Sequence, residues 1–167
     1  DGAPHALDRW TRRVVGDLAG RLGAVALYPF GGPPHHPFQR WAKRAEALQS
    51  SPLGLLIHPE YGLWHAYRAA LVFADVIALP PAGDRPSPCT SCATQPCRSA
   101  CPVSAIGNGP YDVPRCIAHI TGPSGTKCRS RGCLARRACP VGAAHAYEPA
   151  QQAFHMAAFA AAHPPAS

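Results

Sequence analysis

An α+β protein is the fold class this sequence predicts: a cysteine-free region of helices and short strands, then a cysteine-bearing module, then a C-terminal helix. Three observations carry that expectation. Apolar residues recur at helical spacing near the start, short apolar runs follow, and all eight cysteines are confined to the stretch between Cys89 and Cys139. The chain has 167 residues, 47% of them hydrophobic, which is enough to build a core. The expected divisions are residues 1–82, 83–146 and 147–167.

Leu7, Trp10, Val14, Leu18 and Leu22 form one helical stripe, with Arg9, Arg12, Arg13 and Asp17 largely off it, and the helix should end near Gly23. "AVALY" then reads as a short buried strand. "PFGGPPHHP" reads as a loop, because its glycines and prolines leave no ladder to extend. "FQRWAKRAEAL" reads as a second helix. "PLGLLIHP" and "LWHAYRAALVFADVIALP" are expected strands, although "HAYRAAL" also suits a helix. The composition changes at "PPAGDRPSP", the clearest boundary in the chain. Beyond it, "VPRCIAHIT" is the best helix candidate among the cysteines. "EPAQQAFHMAAFAAA" should form a helix that opens on Glu148 and Pro149 and docks its Ala-rich face on the body.

The cysteines follow the pattern Cys89-x2-Cys92-x4-Cys97-x3-Cys101-Pro102, then Cys116, then Cys128-x4-Cys133-x5-Cys139-Pro140. Eight thiolates in two groups that each end on Cys-Pro match two [4Fe-4S] clusters with four soft ligands apiece. In two-cluster ferredoxins the cysteine before the proline serves the other cluster, because the chain leaves one cluster and runs to the next. Applied here, Cys89, Cys92, Cys97 and Cys139 hold the first cluster, and Cys101, Cys116, Cys128 and Cys133 hold the second. The third cysteine arrives two residues late, so the residues between Cys92 and Cys97 should loop outward; "RSRG" supplies a glycine for the return before Cys133. Two other readings compete. Disulfides suit an even count but not a reducing compartment. Two structural zinc sites accept the same ligands, although zinc ribbons pair two C-x2-C knuckles and this chain has one.

"CTSCATQPCRSACPVSAI", "YDVPRCIAHIT" and "CRSRGCLARRACPVG" together resemble the dicluster region of the epoxyqueuosine reductase family, including the lone Arg115-Cys116 between the cysteine groups. The likeness covers residues 86–142. It implies two [4Fe-4S] clusters that feed electrons to a corrinoid, and a tRNA substrate. Upstream, "LYPFGGPPHHPFQRW" and "IHPEYGLWHAYRAALVF" resemble segments of CblC-type cobalamin-processing proteins, which have a flavin-reductase-like α+β fold. That resemblance implies a reduced CblC-like region, with cobalamin as a cofactor and His58, Tyr61, Trp64 and Arg68 as cofactor-binding residues; Pro59 and Gly62 belong to the same segment.

Lys plus Arg exceed Asp plus Glu by 16 to 9, a formal charge of +7. Cluster charge offsets part of that surplus. Arg98, Lys127, Arg129, Arg131, Arg136 and Arg137 concentrate among the cysteines, where they suit an acidic redox partner protein, tRNA phosphates, or neutralisation of the clusters themselves. Tyr111 is the sole aromatic between Cys89 and Cys139, so no stacking platform for single strands accompanies them. His119, three residues after Cys116, is placed to tune a cluster. His35 and His36 sit in the Pro/Gly loop as surface or metal-binding candidates, and His58 and His65 flank "PEYGLW" as pocket or structural histidines. Paired carboxylates, a nucleophile elbow and a phosphate-cradling loop are all missing. With neither a signal-peptide pattern nor a spanning apolar run, the chain is expected to be cytoplasmic and off the membrane. The functional expectation is single-electron transfer between a low-potential donor and a redox partner or bound cofactor. A cobalamin-dependent reductase is the alternative, and a zinc-stabilised nucleic-acid-binding module the third reading.

Overall fold

A computed structural model describes residues 3–46, 48–80, 83, 85–106 and 109–164. It is a mixed α+β chain in two compact units, Asp1–Glu46 with Ala66–Asp84, and Ala47–His65 with Arg85–Ser167. The expected boundary at 82/83 falls beside the last change of unit, although Pro81, Ala82 and Asp84 themselves lie outside the described residues. What the compositional reading did not anticipate is the regrouping of residues 47–65 with the cysteine segment.

The first unit opens on helix α1, Ala6–Leu22, which stops where Gly23 takes a left-handed conformation (φ 63°) and its N–H bonds the carbonyls of Ala19 and Gly20. Strand β1, Val25–Leu27, pairs antiparallel with β4, Ala70–Val72, with Ala26 opposite Leu71. Helix α2, Phe38–Ala45, follows the Pro/Gly loop. The apolar stripe of α1 is not the buried face: Trp10, Val14, Leu18 and Leu22 are exposed, and Thr11 and Ala19 are buried instead. A sheet of two three-residue strands is too small to cover the stripe, although α1 does contact β1.

The second unit begins with β2, Gln49–Ser50, paired antiparallel with β3, Leu56–Ile57. Gly54 (φ 74°) makes the turn between them. The expected long strands are therefore two and three residues only, because the His58–Gly62 bridge turns the chain immediately after Ile57. Helices α3 (Val113–Thr121), α4 (Thr126–Arg131), α5 (Leu134–Arg137) and α6 (Pro149–Ala162) complete the unit. Asp112 caps α3 by accepting from the Arg115 N–H at 2.9 Å, and Pro114 occupies its first turn. α6 docks on α3 and α4, as the Ala-rich pattern predicts, with Met156, Phe159 and Ala160 packed against buried Ile117, Ile120 and Cys128. A second apolar core contains Leu53, Ile57, Leu63, Ile106 and Ala135 together with Cys97 and Cys139.

Candidate metal centre

All eight cysteines are free thiols, and they fall into two sets of four. Each set can be read from which sulfurs repel one another's charge. Burial pushes the Cys97 thiol up, with Cys89 and Cys92 adding to the rise; Cys139 is raised by burial and then by Cys97, Cys89 and Cys92. In the other set burial raises Cys116, Cys128 and Cys133, and Cys101 adds to all three, Cys116 also to the last two. No cysteine of one set figures among the neighbours of the other. The partition Cys89, Cys92, Cys97, Cys139 against Cys101, Cys116, Cys128, Cys133 is the one the Cys-Pro rule predicts.

Local structure explains how irregular spacings deliver these sets. Gln95 adopts a left-handed conformation (φ 37°) and Pro96 opens a 3-10 turn that carries Cys97 inward, while Ala93 and Thr94 stay exposed. The late third cysteine thus costs the chain an outward loop and leaves its sulfur buried. Between Cys128 and Cys133, α4 spends one helical turn and Gly132 (φ 79°) reverses the chain into α5. Cys116 sits on α3, fixed by the Asp112 cap.

Backbone N–H groups already point at several sulfurs. Ala105 donates to Cys101 Sγ at 3.3 Å, Leu134 to Cys128, Ala135 and Arg136 to Cys133, and Val141 to Cys139. Such donors stabilise thiolate and cluster charge and are among the protein's means of setting a cluster potential. The second set walls a cavity of about 260 Å³ with Cys101, Cys116, Cys128 and Cys133 around an apolar lining that includes Leu53, Ile106 and Phe159. His119 and Tyr111 also line it. Tyr111, which the sequence reading did not assign to a site, hydrogen-bonds Cys116; burial first and then this contact push its phenol well above the ordinary tyrosine range, and the same bond holds the Cys116 thiol down against burial. Its ring stacks on Phe159 at 6.1 Å.

Among the described residues no group of three or more His, Cys, Asp or Glu side chains converges closely enough to hold a single metal ion. One zinc needs its thiolates about 2.3 Å from a common point, whereas a [4Fe-4S] cube takes one thiolate at each of four separated corners. The four thiols of the second set line one cavity, with backbone N–H donors to Cys101, Cys128 and Cys133.

The four residues read as a cofactor-binding set have separate partners. Arg68 belongs to the first unit, where Asp8 pairs with its guanidinium and Phe30 lies beneath it at 5.1 Å. His58, Tyr61 and Trp64 belong to the second. His58 Nδ1 accepts from the N–H groups of Glu60 and Tyr61 at 3.0 and 3.1 Å, and its ring stacks on Tyr61 at 4.6 Å. Trp64 is buried under the Arg136 guanidinium at 4.4 Å and meets Tyr147 edge-on. Arg68 thus lies in a different compact unit from His58, Tyr61 and Trp64, and the Trp64 indole N–H is buried without a hydrogen-bond partner among the described residues.

Of the basic residues, Arg129 bonds the carbonyls of Ile120 and Gly122 at the end of α3, and Arg136 donates from Nε to Leu63 O at 3.0 Å. Lys127, Arg131 and Arg137 remain exposed. No helix of the described residues is long and apolar enough to cross a membrane. Comparison of the chain with protein-family models, with curated proteins and with solved structures finds no match.

Proposed function

We propose that this chain is an electron-transfer protein in which Cys89, Cys92, Cys97 and Cys139 hold one [4Fe-4S] cluster and Cys101, Cys116, Cys128 and Cys133 hold a second. The observation that carries the reading is the division of eight thiols into two foursomes, each containing the Cys-Pro cysteine of the other's motif. The clusters would supply one-electron redox steps; the chain's own residues supply the ligands, the N–H donors that offset the sulfurs' charge, and an apolar surround that limits water. Cys89, Cys97 and Cys139 of one set and Cys101 and Cys133 of the other pack on the same apolar core, so electrons would pass between clusters through a short, dry layer. Exposed Lys127 and Arg131 on α4 and Arg137 on α5 flank the second set and favour an acidic redox partner protein. The resemblance to the dicluster region of epoxyqueuosine reductases points the same way for the clusters.

The test is iron, acid-labile sulfide and zinc content of anaerobically purified protein, followed by EPR after dithionite reduction. About eight irons and eight sulfides per chain, with signals from two interacting reduced clusters, is the expected result. About two zincs without sulfide would replace the electron-transfer reading with a zinc-stapled module.

A further inference from the structure

The loop His58–Gly62 and the two residues after it meet the chain on either side of the last cysteine at four places. Gly62 and Gly142 stand backbone against backbone: a Cβ at position 62 would lie 2.6 Å from the Val141 carbonyl carbon, and one at 142 would lie 2.6 Å from the Gly62 nitrogen. The Tyr61 ring meets His145 edge-on at 5.0 Å, and Trp64 meets Tyr147 at 5.4 Å. Arg136, on the near side of Cys139, donates to Leu63 O while lying over Trp64 and Tyr147. The loop brings its own rigidity, because His58 and Gly62 exchange both backbone hydrogen bonds, at 2.8 and 3.0 Å.

We infer that residues 58–64 are a clamp that fixes Cys139 as the closing ligand of the first cluster, an inference that rests on the dicluster reading. Cys139 reaches that cluster from 38 positions beyond Cys101, after the chain has served the second cluster, so the first cysteine motif does not set its position. Its Sγ receives the Val141 N–H, and Val141 is the residue whose carbonyl abuts Gly62. A side chain at the Gly62–Gly142 contact would push the two strands of backbone apart and carry Cys139 away from Cys89, Cys92 and Cys97. In the second set Cys116 lies on α3, Cys128 on α4, Cys133 caps the start of α5 and Cys101 lies outside the helices, and none of the four is in this contact.

Three variants of the full-length protein separate the steric contact from backbone strain. Gly62→Ala and Gly142→Ala each add one methyl at the contact, at positions with φ 58° and 68°. Gly54→Ala imposes similar strain (φ 74°) in the same stretch with nothing within 4 Å of the new methyl. Iron, sulfide and EPR are measured on all three beside the unaltered chain. The expected result is a fall from about eight irons to about four in G62A and G142A, with the interaction between the two reduced centres lost, and no fall in G54A. Retention of both clusters in G62A and G142A overturns the inference. So does loss of both clusters together, or an equal loss in G54A. Absence of iron and sulfide from the unaltered chain overturns the dicluster reading instead, and is told apart because it precedes any substitution.

Discussion

Replacing Tyr111 by Phe removes one hydroxyl from the wall of the second cysteine set and leaves the rest of the ring in place. The hydroxyl donates to Cys116, and the ring's stacking on Phe159 survives the change. A donor to a ligand sulfur stabilises the reduced cluster, which carries the extra negative charge, more than the oxidised one; its loss must therefore lower the potential. A hydrogen bond of this kind contributes about 0.5–1.5 kcal/mol net. Tyr111 is 40% exposed, so water competes for the sulfur and the lower half of that range applies. For a one-electron couple, about 59 mV corresponds to a tenfold change in equilibrium constant, so about 0.5–1 kcal/mol becomes a lowering of about 20–40 mV. An EPR-monitored redox titration of Y111F beside the unaltered protein reads this directly. One cluster should shift downward and the other stay put. No shift, an upward shift, or an equal shift in both would refute the assignment of Tyr111 to the second cluster's surroundings.

Other consequences follow from packing, capping and burial. Ile120 is 2% exposed beside Ile117 and Cys128; Ile120→Ala should cost about 2–5 kcal/mol and lower the thermal midpoint clearly. Asp112→Ala removes the α3 cap and should cost about 0.5–2 kcal/mol, which denaturant unfolding would resolve. Ala135 is fully buried between Cys133 and Cys139, so Ala135→Leu should destabilise by about 1–3 kcal/mol through overpacking and reduce iron retention. Burial raises the thiols of Cys97, Cys116, Cys128, Cys133 and Cys139 above the ordinary range. The folded apo chain therefore holds protons that the unfolded chain releases above about pH 8.5. Its stability should be full below that pH and decline as pH climbs through the raised folded values, seen as a falling melting temperature in reducing buffer.

Much of the helical framework was legible because caps and periodicity are local signals. Gly23 ended α1, "VPRCIAHIT" formed α3, and Glu148-Pro149 opened α6 where the sequence placed them. The grouping of the eight cysteines into two sets of four was also legible, since it depends on chain order and on the Cys-Pro endings. The buried face of α1 was not: its apolar stripe predicts burial only if a partner surface exists, and the two short strands supply too little. Nor was the role of His58-Pro59-Glu60-Tyr61-Gly62. A glycine in that turn announces a left-handed residue, but which distant backbone it must admit is a tertiary fact. Arg136 shows the same limit: in sequence it is one of a basic cluster, whereas in the fold its guanidinium serves Leu63 O, Trp64 and Tyr147.

The chain enters the second unit at residue 47, leaves it after 65 and returns at 85. Neither unit is therefore a single contiguous stretch of polypeptide. An exchange of one gene segment, the ordinary way in which modules are shuffled between proteins, would deliver the cysteine motifs without the 47–65 insert that packs on them. The two units are bound to be inherited as a pair, and substitutions in the insert will be selected together with those around Cys139, although 74 positions separate residue 65 from that cysteine.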